Sequence, residues 1–80
     1  MGRARTDDGY LRIRDYLIHA IAEGAFAPGV RLPTERQLAD QFRVGRAVTR
    51  RALAELEVKG MIRRHVGRGT FVAPARNAVE

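Results

Sequence analysis

Arg46, Arg50 and Arg51 follow one another with no acid between them, and that spacing points to anion chemistry. At about 100° per residue of an α-helix, Arg46 and Arg50 lie one turn apart on one face. Ala47 and Ala54 keep that face short-sided enough to enter a groove. A guanidinium is a planar fork that matches phosphate oxygens and the O6/N7 edge of guanine bidentately. The blander alternative is a solvated amphipathic helix. Exposed helices usually interleave opposite charges four residues apart, however, and residues 46–51 hold no acid.

The charge of the whole chain sharpens this. Its net charge is +6, with a pI near 11.3. Residues 1–29 carry four arginines and four acids and sum to zero, as do Arg76 and Glu80 in the tail. Residues 30–72 carry nine arginines and Lys59 against Glu35, Asp40, Glu55 and Glu57, so the entire imbalance lies there. A localised excess made almost wholly of arginine implies a polyanionic partner.

Other chemistry has little to stand on. His19 and His65 are the only imidazoles, far apart in sequence, and cysteine is absent, so a metal site is not expected. Asp7, Asp8 and Glu23 read as helix caps and helix surface rather than an acid–base pair. We expect no enzyme and no cofactor. Eighty residues make one domain with a modest core. No apolar run approaches the roughly 18 residues of a membrane span, and the N-terminus lacks a secretory apolar segment. The absence of cysteine permits the cytoplasm.

The elements that must position these arginines follow from periodicity. Residues 1–9 read as a flexible start, with Thr6, Asp7 and Asp8 able to cap a helix. Tyr10, Ile13, Leu17, Ala20 and Ile21 then form one apolar stripe, and Gly24 is a natural stop. Phe26 closes the core beneath a turn at Ala27-Pro28-Gly29, and Val30-Arg31-Leu32 makes a short strand before Pro33. Thr34 with Gln37 is a capping box that starts a second, short helix ending near Phe42 or Arg43. Val44 plugs the turn. The arginine helix runs from Gly45 or Arg46 to about Lys59, with Gly60 past its end. Residues 61–66 and 70–72 alternate as strands around Gly67-Arg68-Gly69, a hairpin that ends before Pro74. The order is helix, short strand, helix, helix, hairpin: a mainly α fold with a small β-hairpin (α+β), a winged helix-turn-helix over residues 10–73. Residues 74–80 read as a linker or tail.

With the elements in place, the chain resembles the N-terminal DNA-binding domain of the GntR family of bacterial transcription regulators over roughly residues 10–72. The resemblance rests on Tyr10, Pro28-Gly29, the run from Arg31 to Ala39, Arg46 with Arg50, Ala52-Leu53, Leu56, Gly60 and the run from Gly67 to Val72. It implies that the second long helix enters the major groove and the hairpin wing the minor groove. It further implies base contacts from Arg46 and Arg50, a contact from Arg36, and wing contacts around Val66, Gly67 and Arg68. His65 reads as a wing-side phosphate or base contact, or as merely exposed. Arg43 and Arg51 suit flanking phosphates.

Three positions depart from the family pattern. Gly45 stands where Ser or Thr is usual, so no side chain there can cap the helix. Val48-Thr49 inverts a common Thr-Val, placing Val48 at the groove edge and Thr49 in the packed stripe, where its hydroxyl needs a carbonyl one turn back. Arg51 replaces a common acid. The resemblance also implies a repressor acting as a homodimer on a palindromic operator, with half-sites about one turn apart. It implies an effector-binding or oligomerisation domain beyond the wing. Because the chain stops at Glu80, it reads as an excised DNA-binding domain in preference to a minimal family member. A winged helix that only binds proteins is the alternative, but nearly every Leu, Ile and Phe has a core role.

Overall fold

The computed structural model describes residues 4–74, with side chains from residue 9 onward. Three helices and one hairpin follow in order: α1 (Ala4–Ala22), α2 (Glu35–Phe42), α3 (Arg46–Val58), β1 (Ile62–His65) and β2 (Gly69–Val72). The periodic stripe of α1 packs chiefly on α3, through Ile13 and Leu17 against Ala52, Leu53 and Leu56. Leu38 of α2, Leu32, Ile62 and Val72 complete the same buried cluster. Each fully buried aliphatic side chain contributes about 1.5–3 kcal/mol relative to exposure. The helix pair carrying the arginines is therefore anchored from behind by α1 and from the side by the hairpin.

α1 begins at Ala4, earlier than the flexible start at residues 1–9 suggested. Nothing between Ala4 and Asp8 breaks a helix, and Gly9 is buried where α1 passes the turn before α3: a methyl group on it would lie 2.6 Å from Val44 Cγ1. The capping side chains expected at Thr6, Asp7 and Asp8, the first three residues and the linker at 75–80 lie outside the described residues.

All three helices end by one device. The amide following a left-handed residue donates to the carbonyl five residues back: Ala25 to Ala20 at 2.8 Å, Val44 to Ala39 at 3.0 Å and Met61 to Leu56 at 3.0 Å. This satisfies carbonyls that have no partner within the helix. The left-handed residue is Gly24 after α1 and Gly60 after α3, but Arg43 after α2, with φ 58° and ψ 47°. At the other end of α2 the capping box is complete: Gln37 N–H donates to Thr34 Oγ1 at 3.0 Å, and Thr34 N–H donates to Gln37 Oε1 at 2.8 Å.

The expected short strand at Val30–Leu32 is reduced to a single bridge, Arg31 to Phe71. Leu32 N–H still donates to Thr70 O at 2.8 Å, and Val72 N–H to Val30 O at 2.9 Å, so the segment does lie along β2. Pro33 has no amide to extend the ladder. The sheet proper is the antiparallel pair β1–β2, registered from Ile62 opposite Val72 to His65 opposite Gly69.

Candidate nucleic-acid interface

Gly45 caps α3 with extended backbone and no side-chain hydrogen bond. The hydroxyl of buried Thr49 donates to Gly45 O at 3.2 Å, which satisfies it one turn back as the sequence requires. That bond places Thr49 inward and leaves Arg46, Ala47 and Arg50 on the exposed side of α3. Arg43 and Gly45 are exposed at the turn leading into it, and Arg36 is exposed on α2. On the wing His65, Val66, Gly67 and Arg68 are exposed, Val66 fully. The His65 ring stands edge-on to Phe71, with centroids 5.5 Å apart, which braces the strand below the tip.

One arginine-helix residue lies differently from the sequence reading, and another has a partner which that reading did not supply. Val48 is half-buried and faces the α1 side, where a methyl group on Gly9 would come within 3.8 Å of it; it is not a freely projecting groove-edge side chain. Arg51 is drawn toward α1, its guanidinium carbon 4.6 Å from the centroid of the Tyr10 ring. Arg14 approaches the same ring at 5.7 Å and also pairs with Glu55 at 3.4 Å. Arg51 thus sits in a local network joining α1 to α3, at the flank of the Arg46–Arg50 face.

Sequence reasoning missed the junction between α3 and the wing. Glu35, the first residue of α2, accepts from Arg50 Nε at 3.1 Å and from Arg50 Nη2 at 3.3 Å. Its Oε2 also accepts from Arg64 Nη2 on β1 at 3.3 Å. The hydrogen bonds to Glu35, and then its charge, raise the Arg50 pKa above the ordinary arginine value. A cleft of about 270 Å³ between the start of α2 and the wing is lined by Thr34, Glu35, Arg64, His65, Gly67 and Thr70. The only available signal was Glu35 as the one acid near the start of α2, and its partners are 15 and 29 residues away. Arg31, also unassigned from sequence, lies over the wing: a methyl group on Gly69 would be 2.7 Å from its Nε.

Among the described residues, no cluster of three His, Asp or Glu side chains could hold a metal ion, and no helix is long and apolar enough to cross a membrane. The concentrated chemistry on this surface is cationic. It comprises an exposed arginine edge on one helix, a basic wing beside it, and the Glu35 carboxylate between them, with Glu57 of α3 also 4.0 Å from Arg64.

Known proteins with this architecture are similar in sequence as well as shape. The arabinose metabolism transcriptional repressor of Geobacillus stearothermophilus is 35% identical over 71 residues, covering 89% of this chain and 20% of that protein. The HTH-type transcriptional repressor NagR of Bacillus subtilis is 41% identical over 64 residues, covering 80% of this chain and 26% of the repressor. The chain therefore spans about a fifth to a quarter of the length of these relatives. Among solved structures, AraR(DBD) in complex with operator ORR3 superposes with a TM-score of 0.79 at 34% identity, covering 81% of this chain and 78% of that one. A GntR family transcriptional regulator from Listeria monocytogenes gives 0.79 at 30% identity, covering 82% and 58%. The family described as "Bacterial regulatory proteins, gntR family" matches residues 9–72, nearly the whole folded segment, and the chain belongs to that family.

Proposed function

We propose that this chain reads double-stranded DNA sequence-specifically, as the operator-binding domain of a transcriptional repressor in the bacterial cytoplasm. The observation that carries this is the exposed Arg46–Arg50 edge of α3 flanked by a basic wing. Similarity to AraR(DBD), whose crystal structure is a complex with operator ORR3, supports duplex DNA as the partner. On this reading α3 of the present chain lies in the major groove, with Arg46 and Arg50 on guanine edges. Arg36, Arg43 and Arg51 meet phosphates, and His65, Gly67 and Arg68 follow the minor groove. Two copies bind a palindromic operator as a homodimer, and an effector acts through a further domain of the longer protein. Binding and regulation need no catalytic step.

Selection from a pool of randomised duplexes, followed by titration of the wild type and Arg50→Ala on the selected duplex, tests the assignment. Losing Arg50 should cost about 1–3 kcal/mol of binding and relax the preference at its base pair. With about five phosphate contacts, log K against log salt should have a slope near −4.5. Unchanged preference in Arg50→Ala, or a flat salt response, would overturn the reading.

A further inference from the structure

Glu35 is the meeting point of three elements. It begins α2, its side chain is only 17% exposed, and its carboxylate accepts from α3 through Arg50 and from the wing through Arg64. An arginine can present two pairs of parallel donors, side-on through Nε and one Nη, or end-on through both Nη atoms. Glu35 occupies the side-on pair of Arg50, leaving the end-on pair for a ligand. The Arg50 side chain remains 57% exposed, so the carboxylate orients it without burying it.

A long arginine loses rotamer freedom when it binds, and one already held in place loses less. The carboxylate also adds a negative charge to a surface that meets a polyanion, which opposes every duplex alike. Glu35 therefore has effects of opposite sign: it favours one geometry of Arg50 and disfavours binding in general.

Resting on the DNA-reading function above, we infer that Glu35 is a specificity-determining positioning residue. It holds Arg50 so that only its Nη1/Nη2 edge faces a guanine, and through Arg64 it fixes that edge relative to the wing. Discrimination between duplexes then depends on a residue that itself weakens attraction to DNA.

The test uses the 80-residue chain, the duplex it selects from a randomised pool, the same duplex with the Arg50 guanine replaced by adenine, and an unrelated duplex. Glu35→Gln should lose about tenfold of the guanine preference, while its affinity for the unrelated duplex stays level or rises. Glu35→Asp keeps the charge but shortens the reach, so it should lose preference without gaining affinity for the unrelated duplex. Loss of packing alone would weaken all three duplexes together. In the DNA-free protein, the Arg50 Nε–H signal should be protected from solvent exchange in the wild type and exposed in both variants. Wild-type guanine preference in both Glu35→Gln and Glu35→Asp, each folded by circular dichroism, would overturn the role of Glu35 and leave DNA reading intact. A wild type that selects no duplex motif would overturn both. Should Glu35→Gln not fold, Glu35→Asp decides alone.

Discussion

The amide of Val44 donates to the carbonyl of Ala39 at 3.0 Å and so closes α2 around a left-handed Arg43. The equivalent closures of α1 and α3 go around Gly24 and Gly60, which carry no Cβ to clash with the backbone. Arginine at that position costs about 1–2 kcal/mol. Its exposed cation stands three residues before the first residue of α3, where the proposed function gives it a phosphate.

Arg43→Gly should accordingly separate folding from binding. The unfolded glycine is more mobile, which offsets part of the relief, so stability should rise by about 0.5–1 kcal/mol. DNA affinity should fall, with the log–log salt slope reduced by about 1. Urea denaturation and duplex titration of the same preparation check the two signs. A variant less stable than wild type would show that the left-handed turn is not strained.

Gly9→Ala should destabilise the domain although alanine favours a helix interior by about 1 kcal/mol over glycine. The new methyl group would lie 2.6 Å from Val44 Cγ1, on a β-branched side chain with little rotamer freedom. Overpacking of that kind costs about 1–3 kcal/mol. Combining it with Val44→Ala removes the clash, so Gly9→Ala should become stabilising in that background. Thermal melts of the four proteins form the cycle, and additive effects would sink the packing claim.

Arg51→Ala should lower stability by about 0.5–1 kcal/mol through loss of its contact with Tyr10. Tyr10→Leu should remove the same coupling while leaving the charge in place. If the double variant is destabilised by the full sum of the single effects, the ring and the guanidinium are not coupled. Where Arg51 also meets a phosphate, only Arg51→Ala should lower the salt slope.

Gly45→Ser should add the missing helix cap, for a gain of a few tenths of a kcal/mol. Nothing lies within 4 Å of a Cβ at that position, and its backbone is already extended. A neutral hydroxyl beside the reading arginines should tighten DNA binding without changing the salt slope. Loss of stability would mean that the glycine backbone is needed there.

Features written locally were legible in the sequence. Thr34 and Gln37 are three residues apart, and Gly60 stands two residues past Val58, so spacing alone locates the start of α2 and the end of α3. The inward hydroxyl of Thr49 and its carbonyl partner one turn back were equally readable from helical period. What spacing could not supply was contact between distant segments. Arg50 meets Glu35 across 15 residues and Arg14 meets Glu55 across 41, and no periodicity encodes either. The wheel of α3 places Arg51 at the flank but does not reveal Tyr10 beside it. The segment Val30–Leu32 looked like a strand by composition, but a ladder depends on amides that Pro33 lacks.

The wing's basic residues also bear on how the protein behaves toward itself. Among the described residues β1 pairs only with β2, so its outer edge offers unpaired amides and carbonyls to any other extended chain. Such edges template aggregation unless they are short or charged, and β1 is four residues long with Arg63, Arg64 and His65 along it. The guanidinium charges of Arg63 and Arg64 repel a second copy arriving edge to edge. A polyanion that neutralises them lowers that repulsion, so crowding on a nucleic-acid lattice is the condition under which self-association of the wings would first be felt.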